Sequence, residues 1–197
     1  TKEYGDFQGN HGVGTSLVQS SDHLVLLIDH SADGYPLKLS KKTGENSWKI
    51  DREKRVSWST PVIDATVSPN QIVISSNGIV EGVSFKNGRQ LWSYLGVEKN
   101  TIPSATVTRD LILVGSSVKP SSIALLRDKA GSIAKNQVSW TAENATSSMS
   151  SPLVVGENVY YVSRAGVLSC NDLKTGKQLW DHRLPASCWA TPVGAGD

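Results

Sequence analysis

An all-β repeat fold is predicted by three features of this sequence. Its composition favours strands over helices, its tryptophans recur at a nearly constant spacing, and Gly-containing turn signals punctuate short β-branched runs. Ser (27) and Val (20) are the commonest residues, and hydrophobic residues make up only 38% of the 197 positions. That mixture is poor in the Ala, Glu, Leu and Lys that sustain long helices, and it suits short strands joined by small-residue turns. The net charge is +2, and even the densest stretch, Lys49 to Arg55, alternates in sign. No polyanion-binding surface is expected, which sets nucleic acid aside as a partner. No run approaches 18 consecutive apolar residues, so no membrane-spanning helix is expected either.

The repeat is the main signal. Trp48, Trp92, Trp140 and Trp180 lie 44, 48 and 40 residues apart. Nine or ten residues after three of them comes a similar segment: Trp58-Ser-Thr-Pro61-Val62, Met149-Ser-Ser-Pro152-Leu153 and Trp189-Ala-Thr-Pro192-Val193. Thr101-Ile-Pro103 and Gly14-Thr-Ser16-Leu17 stand in the same phase. With Ser16, Pro61, Pro103, Pro152 and Pro192 as markers the intervals are 45, 42, 49 and 40, a period of about 44. Such a period, filled by four short antiparallel strands, is that of a β-propeller blade. The blades are expected at 14–56, 57–99, 100–146 and 147–188, with 189–197 starting a fifth, all in one propeller segment.

Within a repeat each element has a local cause. In the second, Pro61 to Ala65 starts an inner strand, where a residue without an N–H donor is tolerated. Gln71 to Ser75 is the next strand, and Asn77-Gly78 predicts a two-residue type I′ hairpin with positive φ at both positions. Ile79 to Phe85 is the third strand, Asn87-Gly88 turns the chain again, and Arg89 to Leu95 is the fourth. The last full repeat copies this with Leu153–Val155, Val159–Val162, Val167–Asn171, the Thr175-Gly176 turn and Gln178–Leu184.

Asp172-Leu-Lys-Thr175-Gly176-Lys-Gln-Leu-Trp180, preceded by Cys170, resembles the tryptophan-docking motif of the quinoprotein-type (PQQ-like) β-propeller family. Thr43-Gly44 with Trp48 and Asn87-Gly88 with Trp92 are further copies, with Ser40 and Ser84 in place of the Asp. The copy ending at Trp140 is degenerate: Ala130-Gly131 lies too far upstream, and Lys135-Asn136 stands where Thr-Gly belongs. The resemblance covers about residues 14–193. It implies a ring of seven or eight blades, of which this chain holds about four, a partial ring. It also implies that Trp48, Trp92, Trp140 and Trp180 pack on Thr-Gly peptides such as those at Gly44, Gly88 and Gly176 of neighbouring blades. Trp92 is expected near Thr43-Gly44 or Lys135-Asn136. The family includes quinoprotein dehydrogenases and the outer-membrane-assembly lipoprotein of Gram-negative bacteria, so the resemblance also implies a periplasmic or secreted setting.

Catalytic signals are absent from the sequence. The dehydrogenases of the family hold PQQ with a vicinal Cys-Cys disulfide and a calcium site. Here Cys170 and Cys188 are the only cysteines and are not adjacent, so no PQQ is expected, and the pair reads either as a disulfide or as two thiols. His11, His23, His30 and His182 show no metal-ligand spacing, and no metal is expected. Gly12-Val-Gly14 precedes a strand rather than a helix, and no nucleophile elbow is present. Asn144-Ala-Thr146 is a formal glycosylation triplet. Trp58, Met149 and Trp189 precede inner strands, where loops reach the channel mouth, and form a candidate platform with Arg164 for a protein, peptide or carbohydrate; the alternative is packing on the next blade. The expected function is a non-catalytic binding or scaffold propeller; the alternative is part of a PQQ-dependent dehydrogenase or other propeller enzyme completed by other blades. The open ring is expected to be completed either by a further part of the chain, since Asp197 falls inside a repeat, or by a homodimer of two four-blade arcs.

Overall fold

The computed structural model describes residues 11–99, 101–116, 122–127, 131–132 (backbone only), 138–142 and 147–195. Every regular element among them is a strand. Four antiparallel meanders follow one another along the chain. The first is β1 (Val18–Gln19), β2 (His23–Ile28), β3 (Tyr35–Ser40) and β4 (Asn46–Lys49). The second is β5 (Val62–Asp64), β6 (Gln71–Ser76), β7 (Ile79–Ser84) and β8 (Gln90–Tyr94). The third is β9 (Thr106–Val107), β10 (Leu111–Gly115), β11 (Ser122–Leu126) and β13 (Val138–Ala142); the fourth is β14 (Leu153–Val155), β15 (Asn158–Val162), β16 (Val167–Asp172) and β17 (Gln178–Arg183). The arrangement is open, a partial β-propeller.

Blades stack face to face because the period of two puts successive side chains on opposite faces, and in the second and third blades both faces are covered. On β6, Ile72 and Ile74 pack with Val25 and Leu27 of the first blade. Val73, between them, packs with Ile112 and Val114 of the third. On β10 the alternate residues Leu111 and Leu113 pack with Val159 and Tyr161 of the fourth. This is why the second strands read as unbroken apolar runs rather than as alternating ones.

The third and fourth strands of every blade share one irregularity. A register shift lies between Lys38 and Leu39, Gly82 and Val83, Ala124 and Leu125, and Cys170 and Asn171. The residue just before each shift pairs with the repeat tryptophan: Lys38 with Trp48, Gly82 with Trp92, Ala124 with Trp140 and Cys170 with Trp180. A bulge re-aims the side chain beside it, so the repeat encodes a tryptophan together with the kink that directs it.

Three expectations need correction. The Asn77-Gly78 hairpin has the expected two-residue loop, but only Gly78 takes positive φ (+85°), so the turn is not type I′. The phase markers are off in two blades: Val18, Val62 and Thr106 occupy matching positions on β1, β5 and β9, opposite Val25, Val73 and Leu113, which makes Leu17 and Ala105, not Ser16 and Pro103, the counterparts of Pro61. The second blade also gains a fifth strand. β12 (Gly131–Ser132) leaves its own blade and pairs parallel with β8, Gly131 opposite Trp92. Ala130, Lys135-Asn136 and the Asn144 triplet lie outside the described residues.

Candidate functional site

Among the described residues, the inner edges of the blades share a hydrogen bond that recurs at every junction between equivalent positions. The backbone N–H of Ser16 donates to Thr60 Oγ1 (3.1 Å), that of Thr60 to Ser104 Oγ (2.8 Å), that of Ser104 to Ser151 Oγ (3.0 Å) and that of Ser151 to Thr191 Oγ1 (3.0 Å). The steps are 44, 44, 47 and 40 residues. Each blade needs a small hydroxyl residue at this point, because it must accept from one neighbour while its own N–H donates to the other. Ser59 and Ser150, one residue earlier, are buried and donate to the Ser75 and Val162 carbonyls of their own second strands. Thr191 occupies the fifth place in the series.

The residues two positions before the ladder are the candidate platform, and the structure separates them. Trp58 is half-buried. Its indole N–H donates to the Gly12 carbonyl (3.2 Å), and its ring lies over Gly14, where a Cβ would come within 2.7 Å of it. It packs on the segment leading into the first blade, so it covers the preceding neighbour rather than offering a free face. Met149 is half-buried. Trp189 is 58% exposed, and the Arg164 guanidinium lies over its ring at 4.8 Å. The loop after β17 folds back on the β15–β16 hairpin to make this pair: Leu184 N–H donates to the Gly166 carbonyl (2.8 Å) and Cys188 N–H to the Arg164 carbonyl (3.3 Å). Gly166 allows it with φ +78°, and a Cβ there would stand 2.1 Å from the Ala186 carbonyl oxygen. Arg164 and Trp189 thus share one exposed site, away from Trp58. Cys170 is buried, Cys188 is half-exposed, and both are free thiols.

The tryptophans of the repeat fall into two arrangements. Trp48 donates its indole N–H to the Phe85 carbonyl (3.2 Å) and lies against Gly88 of the second blade. Trp140 does the same one junction later, donating to the Leu173 carbonyl (3.0 Å) with its ring over Gly176. Each tryptophan therefore reaches the turn of the blade that follows it. That turn is built alike each time: the Gly N–H returns to the carbonyl four residues earlier, at Ser40, Ser84 and Asp172. The Asp172 carboxylate also accepts from the Thr175 N–H (2.8 Å) and hydroxyl (2.6 Å), and these bonds hold its pKa below the ordinary value. Gly44 has the same backbone (φ +69°), and nothing lies within 4 Å of where its Cβ would be. Trp180 is 45% exposed and stands by Tyr160, with ring centroids 6.0 Å apart.

Trp92 departs from this pattern. It is buried (4% exposed) in the apolar cluster that joins the second and third blades; nothing lies within 4 Å of where a Gly44 Cβ would be, and Lys135-Asn136 lie outside the described residues. The partner of Trp92 on β7 is Gly82, where a Cβ would lie 2.2 Å from the indole nitrogen. With no side chain there the ring folds down onto its own blade, and its N–H donates to Gln71 Oε1 (2.7 Å). Gln71 in turn donates to Asp64 Oδ2 (3.1 Å). Arg127 of the third blade closes on the same carboxylate through Nε (3.0 Å) and Nη2 (2.6 Å), while its Nη1 donates to the Thr108 and Arg109 carbonyls (2.8 and 2.9 Å). Burial pushes the Asp64 carboxyl up, but bonds from Gln71, Thr66 and Arg127 outweigh it and hold the pKa below its ordinary value. The only sign of this relay in the sequence is the glycine opposite the tryptophan. Among the described residues no group of three His, Cys, Asp or Glu side chains could hold a metal ion.

Comparison with known proteins follows the same lines. No curated protein sequence matches. Solved structures do. BamB from Moraxella catarrhalis superposes with a TM-score of 0.67 at 16% identity, over 91% of this chain and 55% of its own. The computationally designed Ika8 protein gives 0.69 at 16% identity, over 96% and 55%. Quinohemoprotein alcohol dehydrogenase from Comamonas testosteroni gives 0.66 at 12% identity, over 90% and 42%. At these identities the likeness is one of fold, and the chain spans about half the length of these structures or less. A family model described as outer membrane protein assembly factor BamB matches residues 8–197. With its repeat, its blades and this match in agreement, the chain belongs to the outer membrane protein assembly factor BamB family.

Proposed function

We propose that the chain is a non-catalytic, protein-binding propeller segment that works outside the cytoplasm in outer membrane protein assembly. The observation that carries this reading is the Arg164–Trp189 pair. A large exposed aromatic face is held in place by a backbone strap and topped by a guanidinium 4.8 Å away. Trp and Arg are the residue types that most often anchor protein contacts, and here both lie on one exposed surface. Membership of the BamB family supports a protein partner and an extracytoplasmic setting. The reading needs neither PQQ nor a metal, and it takes the blades at 14–56, 57–99, 100–146 and 147–188, with Thr191 already in the place of a fifth.

A photo-crosslinking amino acid at position 189 tests it in a Gram-negative host. The expected result is a discrete adduct with an envelope protein, lost when Arg164→Ala is added and absent when the probe sits at exposed Lys177. Equal adducts at 189 and 177, or none at 189, would overturn it, and saturable labelling by a glycan instead would assign the platform to carbohydrate. The same reading has the exposed Trp180 flank covered by a blade of a second copy. Light scattering should then give twice the chain mass, and a monodisperse monomer would exclude the dimer.

A further inference from the structure

A cleft of about 370 Å³ opens between the first and second blades and is lined by Arg52, Arg55, Glu81, Pro36, Ile50 and Val83, among others. Arg52 is fixed by its backbone N–H to the Gly34 carbonyl (2.9 Å), and its side chain is only 5% exposed. One guanidinium nitrogen, Nη1, donates to Asp29 Oδ1 (3.2 Å). The other Asp29 oxygen already accepts the Ser57 hydroxyl (2.8 Å) and the Ser76 hydroxyl (2.5 Å). What remains is a single carboxylate facing two guanidinium groups. Glu81 Oε1 is 2.7 Å from Arg52 Nη2 and 3.8 Å from Arg55 Nη1. The shorter contact is an ion pair by distance, but no N–H is aligned with the oxygen. Arg52 Nη2 is met by the Glu81 charge, which leaves Arg52 Nε and Arg55 Nη1 as buried donors without a hydrogen bond. Buried donors in this condition are rare in folded proteins and mark a missing partner.

We infer that this cleft is a binding site for a monocarboxylate carried on a small apolar body, held by Arg52 and Arg55. The carboxylate has the bidentate geometry that guanidinium donors match. Pro36, Ile50 and Val83 supply an apolar wall for the body. A dianion such as phosphate fits less well, because Glu53 and Asp51 also line the cleft and only Asp51 is taken up, by Lys49 at 2.9 Å. Burial, followed by the charge of Arg52, holds the Arg55 guanidinium below its ordinary pKa; an anion between the two would counter the repulsion from Arg52. The site is independent of the Arg164–Trp189 platform and goes beyond the function proposed above.

The probe is isovalerate, with uncharged isovaleramide as its shape match, and the readout is the arginine Nε–H resonances of the whole chain by NMR. Isovalerate should shift Arg52 and Arg55 saturably, and the amide should not. Arg55→Gln should weaken binding about tenfold or more, since a charge-assisted pair is lost. Glu81→Gln, which removes the competing carboxylate, should tighten it severalfold. A non-saturating response, meaning that water alone meets the donors, would overturn the site. So would an equal response to the amide, or an affinity unchanged in both variants with their spectra otherwise intact.

Discussion

Two kinds of junction hold these blades together. Between the first and second blades, and between the third and fourth, a tryptophan crosses to the next blade and lies on a glycine turn, donating to a backbone carbonyl. Between the second and third, the tryptophan donates within its own blade, inside an apolar cluster shared with the third, and a buried Asp64–Arg127 pair crosses as well. In the first kind the only polar group of the tryptophan is met by the main chain. The second depends on every donor and acceptor of a buried ionic relay being met at once. The same repeat position thus produces two junctions with different sensitivities, and the switch between them is whether the residue opposite the tryptophan has a side chain.

The largest effect is expected from breaking the relay. Arg127→Met leaves Asp64 as an uncompensated buried carboxylate and should cost about 3–5 kcal/mol in denaturant unfolding. Adding Asp64→Leu should recover part of that loss, because the apolar pair leaves no buried charge. If the double variant is less stable than Arg127→Met alone, the polar relay is not the basis of this junction.

Trp140→Ala attacks the other kind and should cost about 3–5 kcal/mol as a large-to-small change in a packed site, but with no dependence on acid. The relay does respond to pH. Asp64 is depressed in the folded state, so its contribution is complete above the ordinary carboxylate value of 3.8 and is lost as pH falls through the folded value. Acid titration of stability should therefore show a loss below that value that Trp140→Ala retains and that the Asp64→Leu/Arg127→Met pair reduces to the share left by exposed Asp172.

A smaller, sharper test compares two glycines. Gly176→Ala must bear a left-handed backbone, about 1–2 kcal/mol, and also meet Trp140, whose ring would be 2.5 Å from the new Cβ. Gly44→Ala bears only the backbone cost, since nothing lies within 4 Å. The excess at Gly176 measures tryptophan seating directly; equal costs would show that the contact is slack. The smallest effect is expected from Asp172→Ala, a slight loss in denaturant unfolding, since it removes only exposed turn bonds to Thr175.

What the sequence determined by itself is whatever depends on local periodicity. Strand composition, the tryptophan spacing, the Gly turns and the hydroxyl residues before each inner strand are written in the chain at about 44-residue intervals, and they specify four-stranded blades because each blade is built from contacts within one repeat. The sequence puts the third-blade marker at Pro103, because a proline near a strand start resembles one at the start; the register of β9 on β10 and the ladder through Ser104 distinguish them. Tertiary structure alone decided where side chains meet across junctions. That Trp58 is covered by Gly12 and Gly14 while Trp189 is exposed follows from what lies beside each, not from their matching motifs. Arg127 and Asp64 lie 63 residues apart, a separation unrelated to the repeat, and Arg52 reaches Asp29 and Glu81 on two different blades. A periodic pattern can specify the unit and its turns. Contacts between units depend on the three-dimensional angle at which one bulge aims its side chain, and in the second blade a single missing Cβ at Gly82 was enough to change it.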